Sequence, residues 1–542
     1  MSASLRGSNL ERLSRNDYDV LIVGGGINGA VCAAALAGRG VRVALVDRGD
    51  FAGGVSSNSS NLAWGGIKYL ESGELFLVNK LCRCRNELMR AYPSTVREIR
   101  FFTTIQKGFR VWAFFVYLGS LLYWFMGRCR TRAPRYLSPR TIESLEPEIN
   151  TRNAAGGLEY SDCYLHDNDA RFVFGFVRKA LDFGCDAANY VSVVDAEHRD
   201  GRWHAQLEDR ETGKRFTLRA QAMINACGPW ADALNERLGI ETTHRHLFSK
   251  GIHLIVDRVT DSRRVLTFFA SDGRLFFLIP MGPKTCIGTT DTQVADPGVG
   301  VTPEDRQFVL DNVNALLDLK HPIRPGDVIA ERVGVRPLAV AGRTEATDWV
   351  QLSRKHVIEV DEARAQLSIF GGKLTDCLNV GDEAVAQLER LGIDIPDPKA
   401  HWYGEPAAEV RERFMQQARL IGLDALTHET SSEPLSVRFW RRYGEAAFQL
   451  LEQIREDEGS AELLIEHAEY TRGEIELAAR REMIVHLEDF MRRRSKIEQV
   501  IRWRDIEAAP GLHAACRILF GERGEERLRE YLEAGEAERR AA

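Results

Sequence analysis

The chain has 542 residues, a formal net charge of −6 and an isoelectric point of about 6.2. That length supports two or three domains with a large core, and the mild acidity argues against nucleic acid as the main partner. Ten cysteines with one close pair, Cys82-x-Cys84, and no C-x-x-C spacing argue against a disulfide framework or a structural zinc, and read as reduced thiols in the cytosol.

Residues 1–16 are polar, contain Arg6, Arg12 and Arg15 and lack an apolar stretch, so a disordered lead-in is expected and a secretory signal is not. From Asp17 the chain reads D-Y-D-V-L-I-V-G-G-G-I-N-G-A-V-C-A-A-A-L-A. Residues 20–23 suit a strand buried on both faces, and it stops at three glycines. Gly24, Gly26 and Gly29 give G-x-G-x-x-G, and residues 30–36 continue as a helix of small side chains that packs closely on a sheet. Bare N–H groups and the positive end of the helix dipole favour a pyrophosphate there, where any Cβ would block the approach. A second strand, 41–46, delivers Asp47 to where an acid meets ribose hydroxyls and disfavours a 2′-phosphate. Strand, glycine turn, helix, strand and acid in this order predict a bound dinucleotide. FAD and NAD both satisfy this stretch.

Farther on, Gly53-Gly54-Val55-Ser56-Ser57-Asn58-Ser59-Ser60-Asn61 and the L-A-W-G-G-I-K-Y-L-E that follows suit either a loop passing an extended cofactor or a plain flexible loop. Residues 111–126 are an uncharged, aromatic-rich run of 16 between Lys107 and Arg110 on one side and Arg128, Arg130, Arg132 and Arg135 on the other. A transmembrane helix takes about 20 residues, so monotopic lipid contact leads over a buried core helix and a true span. L-E-Y-S-D-C-Y-L-H-D-N-D-A-R at 158–171 precedes a helix at 172–183. Strands at 185–194 and 203–218 suit a sheet inserted between nucleotide-binding halves, and 222–230 returns as a buried strand ending in a Gly turn. Between 247 and 352, short strands at 252–256, 265–269, 275–279 and 286–290 suggest an antiparallel substrate domain. It carries K-G-I-H at 250–253, I-G-T-T-D at 287–291 and V-G-V-R-P-L at 333–338. L-S-I-F-G-G-K-L-T at 367–375 is a strand, a double glycine and a helix start, facing a flavin or simply turning. Pro396, Pro398 and Pro406 mark a linker to a helical tail, shown by the spacing of Phe414, Ala418 and Ile421 and of Met483, Leu487 and Phe490. Arg492-Arg493-Arg494 within it reads as a solvated face.

Together, G-G-G-I-N-G at 24–29, G-G-I-K-Y-L-E at 65–71, E-Y-S-D at 159–162, N-A-C-G-P-W at 225–230, I-G-T-T-D at 287–291, G-V-R-P-L at 334–338 and F-G-G-K-L-T at 370–375 resemble the FAD-dependent, membrane-associated glycerol-3-phosphate dehydrogenases. The helical tail resembles that family's C-terminal domain. The resemblance implies an α/β fold with a Rossmann-like FAD-binding domain (about 17–75, 158–240 and 355–395) and an inserted antiparallel-sheet substrate domain (about 76–157 and 241–354). A C-terminal helical domain spans 396–542. FAD is then expected on Gly24, Gly26, Asn28, Gly29, Asp47, Ser59, Ser60, Gly228, Gly371, Gly372, Lys373, Leu374 and Thr375.

The resemblance also implies oxidation of sn-glycerol 3-phosphate to dihydroxyacetone phosphate. Electrons would pass to quinone or sometimes oxygen, at the cytoplasmic face of the membrane. Substrate contacts are expected from Lys68, Tyr69, His253, Arg336 and Arg354, the arginine forks holding phosphate. His253 is the expected neutral base, assisted electrostatically by Arg336 and Lys373. No metal is expected, and a homo-oligomer is left open. The chain departs from the family's usual residues at Asn61 (lysine), Trp64 (histidine), Lys68 (arginine) and Cys227 (threonine). Lys68 keeps charge without the fork and Trp64 narrows the pocket, so a different anionic alcohol, or an amine as in the wider superfamily, is the alternative substrate.

Overall fold

The computed structural model describes residues 4–109, 111–342 and 356–541. Two sheets organise them. The first, of eight strands among the described residues, runs Val357–Asp361, Gln366–Phe370, Arg215–Asn225, Asp17–Val23, Val43–Val46, Asp186–Ala188, with Val191–Arg199 and Arg202–Asp209 added as an antiparallel hairpin beside Arg215–Asn225. Asp17–Val23 pairs in parallel on both sides, with Val20 opposite Ala222 and Val43. A central parallel strand is covered on both faces, which is why its apolar residues run together and do not alternate. The helix Ile27–Ala37 buries every residue from Asn28 to Ala37. Its alanines permit that closeness, and Gly29 completes it, since a Cβ there would lie 1.8 Å from the Gly24 carbonyl oxygen.

The second sheet, of ten strands among the described residues, runs Thr292–Val294, His244–Asp257, Lys284–Gly288, Leu275–Met281, Val265–Phe269, Val96–Gln106, Ala154–Leu165, Leu62–Ala63. Val328–Ala341 pairs along His244–Asp257, and Arg135–Leu137 along Ala154–Leu165. Residues 158–165, expected among the nucleotide-binding segments, therefore sit in the second sheet. Their antiparallel register with Val96–Gln106 captures them there.

Two further expectations are corrected. Residues 5–15 are not a disordered lead-in but the helix Leu5–Arg15, capped by the Ser4 side chain and with Leu13 buried. Its arginines tie it to the sheet: Arg6 Nη2 meets Asp209 at 2.5 Å and Arg12 Nε meets Asp186 at 2.5 Å. Arg493 and Arg494 are not a solvated face. Both are buried on Asp50, with Nε at 2.7 Å and Nη1 at 2.8 Å respectively, because a carboxylate left behind by the nucleotide-binding loop needs cationic partners once the tail covers it.

The 111–126 run forms the 14-residue helix Ala113–Met126. Among the described residues no helix is long and apolar enough to cross a membrane. This helix divides lengthwise. Ala113, Ser120 and Tyr123 are buried, whereas Phe114, Phe115, Leu118, Leu122 and Phe125 are exposed, with Trp112 just before them. The tail, beginning at the helix Ala408–Leu420, is helical and locked to the rest by buried ion pairs, among them Arg171 with Glu482 at 2.6 Å and Arg442 with Asp167 at 3.0 Å.

Candidate active site

The glycine turn after Asp17–Val23 has each glycine for its own reason. Gly24 has a φ of 103°, and a Cβ there would strike the Ala226 carbonyl oxygen at 2.6 Å. Gly26, at the helix N-cap, has an ordinary φ of −73°, and its Cβ would meet only Ser56 Oγ, at 3.4 Å. The protein does not require glycine at Gly26, so the missing Cβ leaves room for something outside it. Asp47 closes the turn, accepting from the Gly25 N–H at 2.7 Å and the Gly49 N–H at 2.8 Å. Desolvation pushes its carboxyl up to about 6 against those two donors.

A second glycine junction meets the first. Gly371 and Gly372 have φ values of 65° and 108°, and Asn28 Nδ2 donates to the Gly371 carbonyl at 3.1 Å. The Gly371 N–H donates to His246 Nε2 at 3.2 Å. Lys373 Nζ then donates to the Tyr69 hydroxyl at 2.6 Å and lies 4.1 Å from that ring's centroid. Thr375 Oγ1 donates to the Trp64 carbonyl at 3.2 Å, and Leu374 packs against the core beneath. The Gly65 turn that presents Tyr69 is held by Asp162, which accepts from the Gly65 N–H at 3.1 Å and pairs with Arg85, also at 3.1 Å.

The Ser-rich loop runs from one junction to the substrate-domain strands. Ser56 Oγ accepts from the Ile27 N–H at 3.0 Å, and the Ser59 N–H donates to Asp169 Oδ2 at 2.8 Å. Arg332, fully buried, donates to the Ser59 carbonyl at 2.9 Å and to Asn61 Oδ1 at 3.0 Å, and its other nitrogen donates to Gln499 Oε1 of the tail. Arg332 stands opposite His253 in the strand pair. His253 is buried with neither ring nitrogen bonded, and burial, then the charges of Arg336 and Arg332, push it down to about 3, so the ring is neutral. Arg336 crosses Gly251, where a Cβ would lie 2.4 Å from Nη2, and donates to Thr289 Oγ1 at 3.2 Å, with Asp291 at 3.6 Å.

Two expected residues, Lys68 and Ser60, make none of these contacts. Lys68 is exposed on its 3-10 turn, whose inward contacts are made by Tyr69. Gly228, with a φ of 55°, supports the strand-end turn beside Gly24. Ser60 is half-buried, and Arg354 lies outside the described residues. Arg332, Gly251, His246 and Asp169 were missed. Period-2 alternation puts 332, 334 and 336 on one strand face, but the motif that marked Arg336 begins at Val333 and leaves Arg332 out. Nothing in the sequence flags His246.

A model of the FAD dependent oxidoreductase family matches residues 19–358, and one of the C-terminal domain of alpha-glycerophosphate oxidase matches residues 400–517. A glycerol-3-phosphate dehydrogenase of Pseudomonas aeruginosa is 30% identical over 496 residues, covering 89% of this chain and 92% of that protein. The chain belongs to the FAD-dependent glycerol-3-phosphate dehydrogenase family. The chain is also similar to D-erythritol 1-phosphate dehydrogenase of Brucella abortus, 30% identical over 399 residues, 72% of this chain and 78% of that one. The crystal structure of the Bacillus halodurans glycerol-3-phosphate dehydrogenase, complexed with FAD, is similar with a TM-score of 0.74, at 26% identity, over 98% of this chain and 97% of that one.

The cofactor of this dehydrogenase is FAD, and the residues present fit it. The space at Gly26, the paired acceptor oxygens of Asp47 and the unpartnered His253 ring are what a ribose-pyrophosphate chain ending in a reactive ring requires of a protein.

Proposed function

We propose that the enzyme oxidises sn-glycerol 3-phosphate at C2 to dihydroxyacetone phosphate and passes the electrons to membrane quinone. FAD, when bound, takes the C2 hydrogen with its electron pair. His253 receives the C2 hydroxyl proton on a ring nitrogen, Arg336 grips the phosphate, and Lys373 with Tyr69 lines the flavin side. A pKa near 3 makes His253 a weak base in the free protein, but the first charge behind burial that depresses it is Arg336. A phosphate dianion on Arg336 offsets that charge and raises the ring's basicity when substrate is present.

The unpaired, neutral His253 ring beside two arginines carries this reading. The test is anaerobic mixing of the holoenzyme with sn-glycerol 3-phosphate. Rapid bleaching of the flavin absorbance, with dihydroxyacetone phosphate formed in equal amount, is expected; an unbleached spectrum sinks it. A second reading, a longer phosphorylated polyol, is favoured by the Brucella abortus relative at the same 30% identity and predicts faster bleaching by D-erythritol 1-phosphate.

Quinone reduction places the enzyme on the inner face of the cell membrane. The exposed stripe Trp112, Phe114, Phe115, Leu118, Leu122 and Phe125, with exposed Arg128 and Arg130 beyond it, suits the headgroup boundary.

A further inference from the structure

A cleft of about 400 Å³, lined by no residue of either glycine junction, opens between the N-terminal helix Leu5–Arg15, the end of the helix Asp169–Asp182 and the end of the tail helix Arg472–Arg481. Four arginines line it, Arg12, Arg178, Arg480 and Arg481, against two carboxylates, Asp182 and Asp186. Both carboxylates are engaged: Asp186 holds Arg12 at 2.5 Å and the Tyr18 hydroxyl at 2.8 Å, and Asp182 faces Arg481 at 3.4 Å.

Arg178 is left without an answer. Its Nη1 is shut off from solvent and meets no hydrogen-bond acceptor. Two carboxylates, Glu482 and Asp182, act on it through charge; Glu482 Oε2 holds Arg171 at 2.6 Å, and its buried Oε1 has no hydrogen-bond partner. An arginine in a last helical turn, as Arg480 is, commonly serves the terminal carbonyls, but among the described residues neither Arg178 nor Arg480 donates to one or to a carboxylate. A buried guanidinium that no carboxylate contacts directly keeps much of its desolvation cost, and the cleft beside it has the size of a small-ligand site.

We propose that this cleft is a second anion site, separate from the catalytic one, that takes a phosphate dianion with a short organic body. The two surplus positive charges match a dianion, Arg178 and Arg480 supply the free forks, and Leu5 and Leu181 give an apolar wall for the body. Because the walls come from the N-terminal helix, the nucleotide-binding sheet's helix and the tail, an occupant ties the three together. It acts as an effector of stability and tail docking.

The experiment follows thermal unfolding of the holoenzyme in inorganic phosphate or phenyl phosphate against chloride at matched ionic strength. Phosphate is expected to raise Tm in the unaltered enzyme and in Arg336→Ala, which removes the catalytic phosphate holder. Arg178→Gln, and independently Arg480→Gln at an exposed position, should weaken phosphate binding about tenfold or more, the loss of one charge-assisted contact, with turnover in phosphate-free buffer unchanged. Tighter binding of phenyl phosphate assigns the cleft to a phosphorylated metabolite, and equal binding to inorganic phosphate. A Tm rise that disappears in Arg336→Ala and persists in both cleft variants, or that chloride reproduces, overturns the proposal.

Discussion

His253 and Arg336 act as a pair through charge and desolvation. Replacing His253 with asparagine keeps the volume and removes the proton acceptor, so kcat should fall about 10²–10⁴-fold while FAD stays bound, read by stopped-flow flavin reduction. The same ring affects stability. Its folded pKa of about 3 lies below the ordinary 6.5, so between these values the unfolded chain binds a proton the native one refuses. Its contribution is therefore full above pH 6.5 and is lost as pH falls toward 3, at up to about 1.4 kcal/mol per pH unit. The Tm gap between the unaltered enzyme and His253→Asn should shift against the unaltered enzyme as pH drops through that window; a gap independent of pH would contradict it. Arg336→Ala should raise KM for the phosphorylated substrate by about 10- to 150-fold, the worth of a charged hydrogen bond at about 1.5–3 kcal/mol. Arg336 was legible because a motif carried it. Arg332 was not, because its worth lies in partners 167 and 271 residues away in the chain.

Among the elements, the glycine turn and its flanking strands were the most legible, since period, breaker and acid all come from one continuous stretch. The 111–126 run was legible as a helix but not in its division. Apolarity alone does not show that Tyr123 donates to buried Asp162 at 2.7 Å while Phe125 on the same helix stays 72% exposed. Deleting the helix should therefore unfold the Gly65 turn as well as release any lipid. A cleaner test replaces Phe115 and Phe125 with aspartate. Vesicle co-sedimentation should be lost with Tm and flavin reduction retained, whereas Tyr123→Ala should cost about 3–5 kcal/mol in unfolding free energy and leave sedimentation of the folded fraction unchanged. The N-terminal helix escaped notice because few leucines mark it and its anchors, Asp186 and Asp209, lie far downstream.

Across the whole molecule, the tail is held by charges no local pattern reveals. Asp50, three residues past Asp47, binds Arg493 and Arg494 across sequence separations of 443 and 444. Asp50→Asn leaves the buried Arg494 guanidinium without a carboxylate, while Arg493 keeps Glu488 and Asp489 at 2.6 Å each, and should cost about 3–5 kcal/mol. A lowered urea midpoint together with weaker FAD retention is expected, because the same loop carries the acid at the nucleotide turn. A normal midpoint would show the clamp to be ornamental. The tail's role extends to the loop beside the reactive ring: Gln499 accepts from Arg332, and Arg492 reaches Asn58 at 3.4 Å. During synthesis, then, a ribosome-bound chain has its nucleotide turn, and the Asp169 contact of its Ser-rich loop, long before Gln499 emerges to hold Arg332. Gln499 is thus the last of that loop's described partners to leave the ribosome, after Ile27, Asp169, Arg332 and Arg492.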